Sequence, residues 1–293
     1  TLDERAGSSG TLYTNNKATN GGRGLDRLLA LGADDGWGRV VVVPSAAWLT
    51  EQTVPSSAEQ LHLLGLFLAL AVGSADLEQV TDEGGRTLFA ENLGRAASRW
   101  RDLRTGTGRI PELLPMPPLG GANLASPMLV GRARPQSLSY RLVGRGGPAR
   151  FAQFSGRLAA IVAYDALAAQ RDELTIRSGG PEGPGLRFSA GGASAAEITL
   201  GANRRAWRLR GLTPGAAAPV EVFVRGGGSE LEVRSAAPVA FDLDRLAGKS
   251  FVACGDRNDL RVTANQALVI REGATNVLSA ALINRATLTP LRT

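Results

Sequence analysis

Short runs of alternating or β-branched residues recur from Leu174 onward, and clusters of Gly, Pro, Asn and Asp divide them. Many short strands at a spacing of roughly 8–12 residues are typical of an antiparallel sandwich or barrel. This pattern predicts a β-rich region over residues 173–293. The predicted strands are Leu174–Arg177, Leu186–Ser189, Glu197–Leu200, Trp207–Arg210, Val220–Val224, Glu230–Arg234, Val239–Leu243, Phe251–Cys254, Leu260–Thr263 and Ala267–Arg271.

The first half of the chain has a different pattern, in which apolar residues follow helical spacing. Helices are predicted at Leu25–Leu31, Leu61–Leu70, Thr87–Leu103 and Phe151–Arg171. Because the run Leu61–Leu70 is apolar nearly all round, we expect its helix to be surrounded by protein. One buried strand is predicted in this half, at Val40–Val43.

These patterns divide the chain into five segments and predict an α+β fold, with a helical amino-terminal half packed against a β-rich carboxyl-terminal half. Proline and glycine are frequent in the middle segment, where Ser137–Val143 is the clearest strand. The segments are an extended arm (1–24), a mainly helical region (25–103), a Pro/Gly-rich basic connection (104–150), a helix (151–172) and the β-rich region (173–293).

Positive charge is concentrated in one part of the chain. There are 33 basic and 27 acidic residues, and every basic residue except Lys17 and Lys249 is arginine. The codon usage of a GC-rich genome explains such a bias, and so does recognition of phosphate or carboxylate groups by the planar guanidinium. No Asp or Glu lies between Leu113 and Tyr164. The six arginines there are predicted to contact nucleic acid or an acidic partner: Arg132, Arg134, Arg141, Arg145, Arg150 and Arg157.

Side chains that commonly carry catalysis are scarce. His62 is the only histidine and Cys254 the only cysteine, which excludes an internal disulfide. His62 lies in an apolar run and Cys254 ends a predicted strand, so both are expected to be core residues rather than a catalytic dyad. No catalytic residue, metal ligand or cofactor is predicted.

Two further motifs have structural explanations. Leu246–Ser250 resembles the end of a phosphate-binding loop, but Leu243 stands where that loop needs a glycine, so a turn between two strands is predicted. Trp100 and Trp207 are each flanked by arginines, as in proteins that stack an indole on a base. Their positions in the local periodicity instead predict that both indoles lie in the core.

Three segments, Gly21–Leu29, Gln60–Leu64 and Glu78–Gly84, resemble the amino-terminal helical region of totivirus-like double-stranded RNA virus capsid proteins. The resemblance implies a role in the wall of an icosahedral shell around RNA. Because capsid proteins of that family are much longer, it also implies that this chain is a fragment or cleavage product. Some members have a cap-removing histidine, and nothing here assigns that role to His62.

We therefore expect a virion structural protein, found in the virion and in the host cytoplasm during assembly. Its expected partners are other copies of itself or a companion capsid chain, and an RNA or DNA genome through non-specific phosphate contacts. No membrane partner is expected, because the longest apolar stretch, Leu61–Val72, is shorter than the ~20 residues of a membrane span.

Two alternatives remain open. A β-sandwich carbohydrate-active hydrolase would use carboxylates such as Asp242, Asp244, Asp256 and Asp259. Asp-x-Asp spacing also places two carboxylates on one face of a strand, where they can hold a divalent cation, although turn chemistry explains Asp256 and Asp259 equally well. The other alternative is a secreted or surface binding module.

Overall fold

The computed structural model of the chain describes residues 12–14, 28–32, 38–42, 66–90, 113–116, 128–132, 137–155, 158–192, 195–202, 205–216, 218–247, 250–254, 260–264, 266–272, 278–284 and 289–290. Most of these residues lie in β-strands, and every strand pairing among them is antiparallel. The described part of the chain has one helical segment, a 3-10 turn at Gly226–Gly228.

The strands form two hydrogen-bonded networks. A small sheet contains β1 (Leu12–Thr14), β2 (Leu28–Gly32) and β3 (Gly38–Val42), in that order. The other network contains eighteen strands. They are β4 (Leu66–Asp82), β5 (Thr87–Ala90), β6 (Leu113–Met116), β7 (Met128–Arg132), β8 (Ser137–Ser155), β9 (Leu158–Ala166), β10 (Arg171–Arg177), β11 (Gly185–Ser189), β12 (Ala196–Ala202), β13 (Arg205–Leu212), β14 (Val220–Arg225), β15 (Glu230–Ser235), β16 (Val239–Ala247), β17 (Ser250–Ala253), β18 (Leu260–Val262), β19 (Gln266–Glu272), β20 (Leu278–Asn284) and β21 (Thr289–Pro290).

The long strands β4 and β8 belong to two sheets at once. Residues 75–82 of β4 pair with 138–144 of β8, and residues 67–73 pair with 149–155. The first part of β8 also pairs with β10, whereas its last part pairs with β9. The large network therefore divides into two layers that share these two strands.

Strand order follows from the pairings. The first sheet runs β5–β4–β8–β10–β11–β14–β15–β19–β20–β21. The second runs β6–β7–β4–β8–β9–β12–β13–β16, and both β17 and β18 pair with β16. Successive hairpins alternate between the sheets: β8–β9 is in the second, β10–β11 in the first, β12–β13 in the second and β14–β15 in the first.

Glycines allow the two long strands to turn from one sheet into the other. Gly73 in β4 has φ +83°, and the β4–β8 register shifts between Gly73 and Ala75. A Cβ at Gly73 would lie 2.5 Å from the carbonyl oxygen of Pro148, and one at Gly144 would lie 2.2 Å from that of Leu167. A side chain at either position would force the backbone apart, so the bend requires glycine there.

The two sheets enclose one apolar core. Alternate residues of β10 are buried, namely Asp172, Leu174 and Ile176, while the residues between them face outward. Direct contact between the layers is shown by Tyr164 of β9 and Phe188 of β11, whose ring centroids are 5.1 Å apart. Burial of alternate residues against the opposite sheet is the main stabilising contribution to such a sandwich.

A chain of buried polar groups connects the two halves of β8. The Tyr140 hydroxyl donates a hydrogen bond to Gln153 Oε1 at 2.7 Å, and Gln153 Nε2 donates to Ser155 Oγ at 2.9 Å. Burial raises the pKa of Tyr140 well above its ordinary value. The hydroxyl therefore stays protonated and acts as the donor that fixes one half of the strand to the other.

The prediction of a helical amino-terminal half is wrong for the described residues, and with it the α+β fold class. The strand Leu28–Gly32 overlaps the segment predicted as the Leu25–Leu31 helix. Leu66–Asp82 and Thr87–Ala90 are strands where helices were expected at Leu61–Leu70 and Thr87–Leu103. In place of the predicted Phe151–Arg171 helix, β8 continues to Ser155, β9 follows, and β10 begins at Arg171.

Burial on both faces explains these errors. Leu158–Val162 in β9 is buried at every position, so the sequence lacks the polar alternation that marks a half-exposed strand. Its alanines favour a helix intrinsically, but pairing with β8 and β12 overrides that preference. The ten strands predicted from Leu174 onward are confirmed by β10–β19, although Phe251–Cys254 and Leu260–Thr263 each extend one residue beyond the observed strand. The Ser137–Val143 prediction is confirmed in β8, and the Val40–Val43 prediction is confirmed in β3 as far as Val42; Val43 lies outside the described residues.

The predicted segment boundary at residue 150 falls inside β8. Most of the predicted arm lies outside the described residues, which include only Leu12–Thr14 of it. Among the described residues, no helix has the length and apolar character that a membrane span requires.

Candidate functional site: a charged cleft on the second sheet

A row of side chains crosses the outward face of the second sheet where β8, β9, β12 and β13 are adjacent. Arg150 of β8 and Glu197 of β12 are both register partners of Ala163 of β9. Between the pairs Ala196–Leu212 and Ile198–Leu209 the β12–β13 register shifts, so Glu197 faces two residues of β13, Arg210 and Gly211. Such a bulge re-aims a side chain, and here it places Arg210 beside Glu197.

These residues line an open cleft of about 570 Å³. Small residues form half of its lining, and charged residues stand around them. The small residues are Gly73, Ala149, Ala163, Ala195, Ala196 and Gly211; the charged ones are Arg150, Asp165, Glu197 and Arg210; the others are Pro148 and Tyr164. The cleft therefore has a flat floor of backbone and methyl groups with hydrogen-bonding side chains around it.

Glu197 is the half-buried carboxylate of the cleft. Burial raises the pKa of Glu197 above its ordinary value, and the positive charges of Arg150 and Arg210 oppose that rise. Because of this rise, the carboxyl group of Glu197 holds its proton to a higher pH than an exposed glutamate does. Asp165 is exposed and lies two residues along β9 from Ala163, diagonal to Glu197. Diagonal Cβ atoms in an antiparallel sheet are roughly 7–8 Å apart or somewhat less, so the two carboxylates flank the same part of the floor.

Asp244 fixes the orientation of Arg210. Arg210 Nε donates to Asp244 Oδ2 at 2.9 Å, and its Nη2 donates to Oδ1 at 3.2 Å. Arg208 approaches the same carboxylate, with Nε 2.7 Å from Oδ2, and its guanidinium lies 4.8 Å from the ring centroid of Phe251. Only 2% of the Asp244 side chain is exposed, so its carboxylate is shielded from solvent.

Tyr164 lies beneath the cleft with its ring in the core. Within the described part of the chain, its hydroxyl and Asp172 Oδ2 make no hydrogen bond, although Asp172 Oδ1 accepts one from the N–H of Gly191 at 2.8 Å. Burial, followed by the nearby Asp172 carboxylate, raises the pKa of Tyr164. Burial also raises the pKa of Asp172. Two polar groups are thus buried beneath the floor at a cost in stability.

The predicted basic residues are distributed over both sheets. Arg150 lines the cleft. On the first sheet, Arg141 lies within 4.0 Å of Glu78 and Glu173, and Arg145 Nε lies 3.4 Å from Asp76. The backbone of Arg132 lies in β7, and nothing further is described for that residue. Arg134 and Arg157 lie outside the described residues.

Ion pairs occupy other arginines of the first sheet as well. Arg234, of which 12% is exposed, is paired with Glu182 at 2.7 Å and with Glu232, and its guanidinium lies 4.5 Å from the ring centroid of Phe223. Arg225 Nη2 lies 2.7 Å from Glu232 Oε2. Arginine in this sheet is therefore used to neutralise carboxylates within the chain, an outcome that composition alone does not reveal.

The other sequence candidates have ordinary environments where they are described. Asp242 and Asp244 do share a face of β16, but Asp244 is bound by two arginines, and no cluster of potential metal ligands occurs among the described residues. Trp207 is buried, as predicted, and donates a hydrogen bond to the carbonyl oxygen of Gly228 at 2.8 Å. Cys254 is partly buried and packs against the core.

Several predictions fall on residues whose structure is not described: those on His62, Trp100, Asp256 and Asp259. In the loop-like Leu246–Ser250 motif, the first two residues end β16 and Ser250 begins β17, and these strands pair antiparallel, which confirms the predicted strands; Gly248 and Lys249 lie outside the described residues.

Sequence reasoning did not identify Glu197 as a site residue. The sequence did indicate which way its side chain points: in the predicted strand Glu197–Leu200, Glu197 lies on the face opposite to the apolar Ile198 and Leu200. The sequence does not give the registers of β8, β9, β12 and β13, which bring Arg150 and Arg210 beside Glu197.

No family model, curated protein or solved structure matches this chain. Function is therefore argued from the chemistry of its surfaces.

Proposed function

We propose that the chain is a virion structural protein, a subunit or fragment of a capsid shell that assembles with other copies or with a companion chain around a nucleic-acid genome. Two-sheet antiparallel sandwiches occur in both viral capsid and lectin domains, so the architecture is compatible with this role without selecting it. The observation that carries the proposal is the open end of the sandwich.

The open end is the end formed by β18 and β20, where apolar residues that pack against the core are not fully buried. Leu260 of β18 and Ala280 and Leu282 of β20 pack against the core but are only partly buried. β20 contains no charged residue. One of its edges pairs with β19 along the whole strand, whereas on the other edge the described part of β21 pairs only with Ile283 and Asn284. Edge strands of monomeric proteins are usually protected by charge or proline, so an uncharged apolar edge favours association with another chain.

Contact with the genome is a separate part of the proposal. Arg141 and Arg145 already have carboxylate partners, so a phosphate that binds either of them has to replace Glu78, Glu173 or Asp76. Nucleic-acid contact through the six arginines stays a prediction. A genome-binding role predicts particles with a raised ratio of absorbance at 260 nm to that at 280 nm and a salt-dependent release of nucleic acid.

The assembly proposal is tested by mass photometry and negative-stain microscopy of the purified chain. Large closed particles are expected, and a monodisperse species of 30.5 kDa at high concentration would contradict the proposal. Leu282→Glu places a charge on the core side of the open end and is expected to abolish assembly. Ser279→Glu is the matched control, because Ser279 is exposed on the other face of the same strand.

Thermal melts of both variants show whether loss of assembly is only a loss of folding. If Leu282→Glu does not fold, the uncharged variant Leu282→Gln replaces it. Assembly that is unchanged in a folded Leu282 variant would show that the open end is not the contact surface.

Of the carboxylates named for the hydrolase alternative, Asp244 is unsuited to catalysis. Asp244 is held by Arg208 and Arg210, so it is not available as a proton donor or nucleophile facing a substrate. A binding module is better supported, because the cleft around Ala163 is a defined concave surface with hydrogen-bonding groups.

A further inference from the structure

The cleft on the second sheet has a chemical character that assembly does not explain. Its lining combines donors and acceptors: the guanidinium groups of Arg150 and Arg210 donate, whereas the carboxylate oxygens of Asp165 and Glu197 accept. A ligand that satisfies both kinds of group must itself donate and accept. Hydroxyl groups do both, which makes a polyhydroxylated ligand complementary to this surface.

The charge balance excludes an anionic ligand as the best fit. Two arginines and two carboxylates line the cleft, and Arg210 already makes two hydrogen bonds to Asp244. No excess of positive charge is therefore directed at the floor. A phosphate or sulfate group would meet the carboxylates of Asp165 and Glu197, and the repulsion would offset its attraction to Arg150.

The shape of the floor also favours a ligand with several hydroxyl groups. Arg150 and Glu197 lie on the two strands that flank Ala163, about 10 Å apart between backbones at ordinary strand spacing. Between them the floor presents only a methyl group. Gly73 and Gly211 continue the flat surface at its edges, and no Cβ stands above it at either position. A ring that carries hydroxyl groups can lie flat on this floor and reach both walls.

We propose that this cleft binds a neutral saccharide, with hydroxyl groups donating to Glu197 and Asp165 and accepting from Arg150. The aromatic ring of Tyr164 points into the core, where it contacts Phe188, so it provides no stacking surface in the cleft. Binding of a single saccharide is therefore weak, and many copies displayed together increase the observed avidity. The inference does not depend on shell assembly, because every residue involved belongs to one chain.

The test is an array of immobilised glycans that carries neutral, sulfated and sialylated members, probed with the fluorescently labelled full chain. Binding to neutral glycans is expected, and it should persist in about 0.5 M NaCl, where exposed ionic contacts are screened. Ala163→Trp fills the floor and is expected to abolish the signal. The matched control Ser189→Trp places the same ring on the outward face of the first sheet, at β11, and should bind as the unmodified chain does.

Glu197→Gln keeps the shape but removes the charged acceptor, and it is expected to weaken binding roughly tenfold or more, as for hydrogen bonds to charged groups. Thermal melts must show that each variant is folded. The proposal is overturned by the absence of binding to any neutral glycan, by binding confined to acidic glycans, or by a folded Ala163→Trp variant that binds unchanged. Particle formation is scored separately by mass photometry, so failure of one proposal does not decide the other.

Discussion

Asp244 is the position where the loss of one carboxyl charge should be most harmful. Its side chain is 2% exposed and receives hydrogen bonds from two arginines, one of which, Arg208, is 14% exposed. Asp244→Asn preserves volume but leaves two guanidinium groups beside a neutral amide. Removing one partner of a buried ion pair costs about 3–5 kcal/mol, because the remaining charge is left without compensation.

The lower part of that range is expected here. Arg210 is 41% exposed and still has Asp242 at 3.9 Å, so water and that carboxylate compensate part of its charge. Arg208 has the less favourable environment, because it remains beneath the surface beside Phe251. We therefore expect a loss of about 3 kcal/mol, which corresponds to a decrease of about 6–12 °C in melting temperature for a domain of this size.

Asp242→Asn is the matched control, two residues earlier in the same strand. Asp242 is 42% exposed and 3.9 Å from Arg210, so its loss should cost at most about 1 kcal/mol. Urea unfolding of the three proteins gives the free energies directly, and the dependence on urea concentration should be the same in all three. If Asp244→Asn loses no more stability than Asp242→Asn, the buried pair does not contribute as its geometry indicates.

Two further substitutions test other parts of the fold. Asp172→Asn is expected to raise the melting temperature at pH 7. Burial raises the pKa of Asp172 above its ordinary value of 3.8, so the native state loses stability as the pH rises from 3.8 toward the raised pKa. The stability gained by the variant should therefore vanish in melts below about pH 3.8. A variant that is less stable than the parent at pH 7 would contradict this. Gly144→Ala is expected to lower the stability by about 1–3 kcal/mol, because its Cβ would meet the carbonyl oxygen of Leu167. Gly179→Ala is the control: its Cβ would enter open space, so its stability in the same melts should be nearly unchanged. Equal effects of the two substitutions would show that the bend tolerates a side chain.

β10, which has one exposed face, could be predicted from the sequence, whereas β9, much of which is buried on both faces, could not. β10 alternates between buried and exposed residues along its length, so its period of two is visible in Arg171–Arg177. β9 is apolar on both faces, and its Ala-rich sequence fits a helix equally well. The difference arises from tertiary pairing with β8 and β12, which local sequence does not encode.

The candidate site shows the same division. Arg150 was identified because it lies in a segment without acidic residues, but Glu197 joins it only through two strand registers and a bulge. Arg141 is paired with Glu78 and Glu173, which are distant from it in sequence. They become its neighbours because β4 and β10 flank β8. Local charge density identified the arginines, but it could not tell which of them the fold would neutralise.

The alternation of hairpins between the two sheets has a consequence for how such a chain can change in length. Each hairpin is local in sequence, and a pair of them adds one step to both layers, so successive pairs extend the sandwich along one axis. Removing or duplicating such a pair would shorten or lengthen the sandwich while leaving earlier strands in register. Insertion of whole hairpin pairs can therefore increase the distance between the bend at Gly73 and the end at β20. The number of repeats sets the length of a solenoid in the same way.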